Sequence, residues 1–162
     1  MGVEPRSGTG FHIDRDGVWR HRGSVIQRDA MVRLFASMLE RRGERYVLVT
    51  PDQVLRVEVD DAPFVIVDME ECTDSASPGI VLITNIGERF ALGPDHPLYL
   101  RDDDARNETR AYQRIRDALP ALIHRNVFYR LAELAHTNAD GLMGVRSCGE
   151  FFPLERADHM FG

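Results

Sequence analysis

The chain has 162 residues, 43% of them apolar, and a formal net charge of −6. That length suits one domain or two small subdomains, and the apolar share supports a packed core rather than disorder. The negative charge argues against a general nucleic-acid binder. All twenty basic residues are arginine, which excludes a Schiff-base lysine and a P-loop lysine.

Residues 1–10 are rich in Gly, Ser and Pro and read as a flexible tail, with 157–162 as a second tail. Phe11 to Arg20 alternates around Asp16-Gly17, a hairpin signal. Ser24-x-x-Gln27 has capping-box spacing for a helix whose apolar positions are Met31, Leu34, Phe35, Met38 and Leu39, with Gly43 ending the run. Tyr46 to Thr50 and Val54 to Val59 read as strands about a Pro51-Asp52 turn. Phe64 to Met69, Ile80 to Thr84, Arg89 to Leu92 and Pro97 to Leu100 add four more, with turns at Asp74 to Gly79 and Asn85-Ile86-Gly87.

The acidic stretch Asp102 to Glu108 predicts a solvated loop, and Arg110 to Arg116 a strand. A second amphipathic helix is predicted from about Ala121 to His136, with Phe128, Leu131, Ala132 and Ala135 on one face. Leu142 to Val145 and Glu150 to Leu154 close the chain as a hairpin around Ser147-Cys148-Gly149. The fold class expected is α+β, with two repeated hairpin–helix–hairpin subdomains, two main helices and curved, half-barrel-like antiparallel sheets. The subdomains are placed at 11–78 and 79–156, packed as one unit.

One segment recurs. Ile26 to Leu34 (Ile-Gln-Arg-Asp-Ala-Met-Val-Arg-Leu) returns 97 residues later as Ile123 to Leu131 (Ile-His-Arg-Asn-Val-Phe-Tyr-Arg-Leu), with four of nine positions identical. Each copy opens a predicted helix flanked by hairpins, which favours duplication. At about 100° per residue, Arg28 falls inside the arc of Met31, Phe35, Met38 and Leu39, and Arg125 inside the arc of Phe128, Ala132 and Ala135. Each subdomain is thus expected to lean one arginine inward at a helix start. A cation there opposes the helix dipole and calls for an anion nearby. That anion is an internal carboxylate, with Asp60, Asp61 and Asp95 as candidates, or a bound ligand.

Motifs spread along the chain carry a family resemblance. They are Asp16-Gly17-x-Trp19, Gly23-x-x-Ile26-x-Arg28, Leu34-Phe35, Thr50-Pro51, Val57-x-Val59-x-Asp61-Ala62-Pro63-Phe64, Thr84-Asn85, Asp95-His96-Pro97-Leu98, Ile123-x-Arg125, Tyr129-x-Leu131 and Ser147-x-Gly149-x-Phe151-Phe152. In this order and spacing, from about Phe11 to Leu154, the chain resembles the bacterial domain of unknown function family 1285. The resemblance implies a two-subdomain α+β protein with a repeated helix-and-sheet motif, and a role in signal transduction. It supplies no catalytic residues. Neither the Asp102 to Glu108 loop nor Cys148 belongs to its motifs.

No motif assembles a reaction. His12-x-Asp14-x-Asp16 offers three ligand types but reads better as the polar face of a hairpin. Asp102-Asp103-Asp104 fails the EF-hand pattern, because Asn107 and Gln113 stand where glycine and glutamate belong. Val145-Arg146-Ser147-Cys148-Gly149 fails the nucleophile elbow at Val145. Cys72 and Cys148 are far apart and form no CxxC, so neither a cysteine-rich zinc site nor a disulfide framework is expected. Of the adjacent Phe151 and Phe152, one is expected to pack inward.

No apolar run approaches eighteen residues, and the N-terminus shows no basic-then-apolar leader pattern, so a cytoplasmic setting without membrane spans is expected. The favoured function is a non-enzymatic binding or interaction module in bacterial signalling, without metal or cofactor. It would hold a small anion or a partner protein between the subdomains. The candidate ligand-binding residues are Arg28, Arg125, Asp61, Asp95 and His96. The alternative is a hydrolase using His96 with Asp95, or Cys148. A third class, DNA binding through an arginine-bearing helix, is disfavoured by charge and by Arg125 and Arg130 pointing to different sides.

Overall fold

The computed structural model describes residues 7–73 and 78–156. The expected tail termini at 1–6 and 157–162, and positions 74–77 of the expected Asp74 to Gly79 turn, lie outside these residues. Two compact units divide at Phe64/Val65, with 117–119 returning to the first. The sequence expectation put the division at 78/79. The strand that begins at Phe64 pairs with the one following it, so it belongs to the second sheet.

The first unit holds β1 (Phe11–Ile13), β2 (Trp19–His21), β3 (Ser24–Val25), α1 (Asp29–Ser37), β4 (Leu39–Arg42), β5 (Arg45–Val49) and β6 (Val54–Val59). The six strands make one sheet in the order β3-β2-β1-β6-β5-β4. The expected antiparallel sheet is in fact mixed: β1 pairs in parallel with β6, setting His12 opposite Glu58 and Ile13 opposite Val59. A parallel pair needs a long crossover, which the segment carrying α1 provides. The Asp16-Gly17 hairpin forms as expected. Asp14 Oδ1 accepts the Asp16 and Val18 amides at 2.9 and 3.0 Å, and Gly17 takes the left-handed conformation the turn needs. Trp19 stacks on Phe35 at 6.1 Å, Phe11 meets Phe35 edge-on at 5.2 Å, and Ile13 and Val47 are fully buried.

Helix α1 is shorter than the periodicity predicts. Ser24 is paired with His21 in β3 and cannot cap, so the helix starts at Asp29 behind Arg28, which makes no side-chain cap. The helix also stops early. Leu39 pairs with Leu48 across β4 and β5 and is buried there, and Gly43 serves the hairpin turn that follows. The core-facing residues of α1 are Val32, Phe35 and Ala36, whereas Met31 and Leu34 are 41% and 57% exposed.

The second unit holds β7 (Phe64–Cys72), β8 (Gly79–Thr84), β9 (Arg89–Ala91), β10 (Leu98–Asp103), β11 (Glu108–Arg114), β12 (Pro120–Ile123), α2 (Arg125–Glu133), β13 (His136–Thr137), β14 (Met143–Ser147) and β15 (Glu150–Pro153). Its main sheet runs β10-β11-β12-β7-β8-β9. Advancing every strand number of the first sheet by six gives this same order, so two similar subdomains share one six-strand plan. Both sheets are mixed and open, and a third, β13-β14-β15, is antiparallel.

Two elements differ from expectation. The acidic stretch is a hairpin end rather than a free loop, since Asp102 and Asp103 pair with Thr109 and Glu108 and leave 104–107 as the turn. Residues 120–123 are strand rather than helix, because β12 fills the sheet beside β11. Helix α2 therefore starts at Arg125, capped by His124 Nδ1 accepting the Asn126 amide at 3.1 Å, and buries Val127 and Leu131. Phe152 is buried while Phe151 packs edge-on to His136 at 5.5 Å. Among the described residues, no helix is long and apolar enough to cross a membrane.

Candidate functional site

The two arginines singled out by the repeat are both exposed. The inward lean expected of them does not occur, for two different reasons. Arg28 precedes α1 with φ −81° and ψ 113°, so a helical angle does not apply to it; its carbonyl accepts the Met31 and Val32 amides at 3.0 and 3.1 Å. Arg125 is the first residue of α2, but the buried stripe is Val127 and Leu131, and Arg125 lies on the far side of it. Among the described residues neither arginine has a carboxylate within ion-pair distance. Exposure removes the desolvation cost that would have demanded an internal partner.

The candidate carboxylates have other roles. Asp60 pairs with His12 at 2.7 Å, and Asp61 is half-buried and already engaged. Arg28 and Asp61 belong to the first unit; Arg125, Asp95 and His96 belong to the second. Asp95 is exposed in the turn between β9 and β10. His96 in that turn is half-buried, edge-on to Phe90 at 5.0 Å, and its buried Nδ1 has no hydrogen-bond partner among the described residues. Its carbonyl accepts from Gln113 Nε2 at 3.1 Å, and the same amide reaches the Phe90 carbonyl at 3.3 Å. Gln113, fully buried on β11, was not foreseen from the sequence; its signal is a polar residue following two buried apolar ones, Ala111 and Tyr112.

The hydrolase alternative required Cys148 or His96 within reach of an acid. Among the described residues neither has one, so that geometry is not assembled. Ser147 is also no nucleophile. It is fully buried, its Oγ accepts the Ile80 amide at 2.8 Å and donates to the Leu92 carbonyl at 2.6 Å. Two residues of the His12-x-Asp14-x-Asp16 series are likewise spoken for: Asp14 holds its own turn and Arg20, and His12 holds Asp60.

The most organised charged surface is on the second unit. Arg130 of α2 donates to Asp68 Oδ1 at 2.6 Å and to the Met69 carbonyl at 3.0 Å. Beside it, Arg89 of β9 forks onto Glu70. Hydrogen bonding from Arg130, then from the Met69 amide, lowers the Asp68 pKa; hydrogen bonding from Arg89 lowers that of Glu70. These pairs tie α2 and β9 onto β7. Their charges are matched internally and offer little to a ligand.

Comparison with known proteins decides the family. Residues 5–62 match "Domain of unknown function (DUF1285), N-terminal domain", and residues 63–154 match "Protein of unknown function (DUF1285), C-terminal domain". The chain belongs to the DUF1285 family. Its resemblance in sequence is thereby confirmed, and the family's 62/63 division falls beside the structural one at Phe64/Val65. A DUF1285 family protein from Silicibacter pomeroyi is 34% identical, with TM-score 0.84 over 99% of this chain and 93% of that one. A second, from Shewanella baltica, is 26% identical, with TM-score 0.62 over 79% of this chain and 94% of that one. No curated protein matches. Membership in DUF1285 therefore fixes fold and ancestry and brings no activity with it.

Proposed function

We propose that this DUF1285 protein is a cytoplasmic, non-enzymatic interaction module of bacterial signal transduction that recognises an acidic, partly apolar protein surface. The observation that carries this is the outer face of α1. Met31 and Leu34, one turn apart, are 41% and 57% exposed, and Arg28 stands just before them without a carboxylate partner among the described residues. An exposed leucine and methionine at helical spacing beside an available guanidinium suit a partner that offers apolar side chains and a carboxylate. The two free, exposed thiols suit a reducing compartment. The signalling role rests on the family resemblance.

A small anion is the second reading. It is favoured by Arg125 at the first position of α2, whose first turn carries no acidic residue.

A thermal-shift screen separates the two. Acidic amphipathic peptides and small anions, nucleotides included, are tested against the wild type, Arg28→Ala, Leu34→Ser and Arg125→Ala. A ligand at a hundred times its Kd stabilises by about 2.7 kcal/mol and raises Tm visibly. The protein-partner reading predicts a peptide response that is lost in Arg28→Ala and Leu34→Ser and kept in Arg125→Ala. A response to anions lost only in Arg125→Ala would favour the second reading. A response indifferent to all three substitutions would sink both.

A further inference from the structure

Strand β4 is an edge of the first sheet, and its outer side pairs with no strand among the described residues. The phase of its ladder is set by the Val49 amide donating to the Met38 carbonyl at 3.0 Å, across directly opposed positions. Bonded and non-bonded pairs alternate along an antiparallel ladder. Glu40 with Val47 and Arg42 with Arg45 are therefore bonded pairs, and Arg41 with Tyr46 is not. The amide and carbonyl of Arg41 point away from β5, toward the open edge. The other edges of the two main sheets offer less. Strands β3 and β9 have only two and three residues, and the Leu100 carbonyl of β10 already receives Arg156 at 3.2 Å.

The charges along this edge are self-complementary. Glu40, Arg41 and Arg42 are all exposed. Glu40 and Arg42 flank Arg41 and project from the face opposite to it. On that face Arg42 stands directly across from exposed Arg45, and like charges so placed are destabilising. Among the described residues none of Glu40, Arg42 and Arg45 has an ion-pair partner. When a second copy is set antiparallel about Arg41, each Glu40 falls opposite the partner's Arg42 and beside the partner's Arg45. Arg41 then lies across the axis from the partner's Arg41, but its charge is drawn aside. Its Nε donates to the Gly43 carbonyl at 3.1 Å, and its guanidinium lies 5.8 Å from the Tyr46 ring centroid. Gly43 lies in opposite directions along the two antiparallel strands, so the two guanidiniums diverge.

We propose that β4 pairs with β4 of a second copy of this chain, antiparallel and centred on Arg41, so that one sheet runs through a two-fold dimer. The Arg41 amide of each copy donates to the Arg41 carbonyl of the other. Two Glu40–Arg42 pairs form on the face away from Tyr46, and each carboxylate also relieves the opposition of Arg42 and Arg45. Charged side chains on a sheet edge ordinarily discourage pairing. The order Glu-Arg-Arg reverses that effect in this one register. The surface is separate from the face of α1 and does not rest on the function proposed for it. The edge is short and buries less than the roughly 1,200 Å² of a stable interface, so the dimer is weak and concentration-dependent.

The test is sedimentation velocity of the full-length chain from about 10 μM to 1 mM, the range of weak complexes. The expected result is a reversible passage from monomer toward dimer, diminished at high salt. Arg42→Glu or Glu40→Arg alone sets like charges together twice by symmetry and should weaken association about tenfold. The double variant Glu40→Arg/Arg42→Glu restores opposite charges in the same register and should recover wild-type association. Arg41→Pro removes the amide that faces the edge and leaves the β4–β5 bonds in place. It should abolish the dimer with an unchanged far-UV circular dichroism spectrum. Leu34→Ser, on α1, should leave the dimer as it is. A chain that stays monomeric at the top of this range overturns the proposal, including one whose β4 edge takes up an added acidic peptide instead. A dimer that survives Arg41→Pro overturns it too, as does a double variant that fails to recover.

Discussion

Ser147 fastens the small sheet of the second unit to β8 by accepting the Ile80 amide at 2.8 Å. The same hydroxyl donates to the Leu92 carbonyl at 2.6 Å, so one buried oxygen closes two backbone groups at the ends of β8 and β9. Ser147→Ala leaves both without a protein partner. Stranding a buried donor and acceptor costs about 2–4 kcal/mol together. Urea unfolding should show a lower midpoint at unchanged slope; a change below about 0.5 kcal/mol would mean that solvent reaches both groups.

Gly144 is required by space rather than by backbone angle. A Cβ there would lie 2.3 Å from the Phe152 carbonyl oxygen and 2.8 Å from Pro153 Cα. Neither is the end of a flexible side chain, so β14 and β15 must move apart. Gly144→Ala should destabilise by about 3 kcal/mol, the upper range for overpacking. Calorimetry checks it, and a melting temperature within a degree or so of wild type would contradict the closeness of the two strands.

The α+β class, both helices and most strands were legible from periodicity and turn residues. What failed has a common cause, the choice of sheet partner. Leu39 and Ile123 fit a helical pattern equally well, but each is needed in a strand, opposite Leu48 in one case and next to His124, the cap of α2, in the other. The pairing of β1 with β6 was invisible, since nothing in a single strand's alternation names its neighbour. Of the candidate site, the inward lean of the arginines failed: Arg28 precedes α1 and has no helical angle, and Arg125 lies opposite the buried Val127 and Leu131. The bonds of Ser147 to Ile80 and Leu92 depend on long-range packing and left no local signal.

The charged face of the second unit should show itself at acid pH. Asp68 and Glu70 have folded pKa values below their ordinary 3.8 and 4.5, through hydrogen bonds from Arg130 and Arg89 respectively. For depressed carboxylates, the stabilisation is present above the unfolded value and lost as pH falls through the folded one. Both groups are exposed, so the contribution is screened and small. Carboxyl-carbon NMR should find each titrating below its ordinary value. Arg130→Gln should move Asp68 up and leave Glu70 nearly still; equal movement of both would mean that a general field, not the Arg130 hydrogen bond, holds Asp68 down.

The repeated nine residues make the sharpest contrast. Sequence identity aligns Leu34 with Leu131, 97 residues apart, yet the helices begin at Asp29 and Arg125, 96 apart. One residue of slip turns a helix by about 100° and carries a side chain from one face to another. Leu131 is fully buried while Leu34 is 57% exposed. Leu131→Ala should therefore cost about 3 kcal/mol by loss of burial and creation of a cavity. Leu34→Ala, at a solvent-facing position, should stay within about 0.5 kcal/mol. Chemical denaturation of the two variants decides it. Comparable losses would mean that the nine-residue match marks equivalent positions after all, and would place Leu34 in the core and remove it from the docking face proposed for α1.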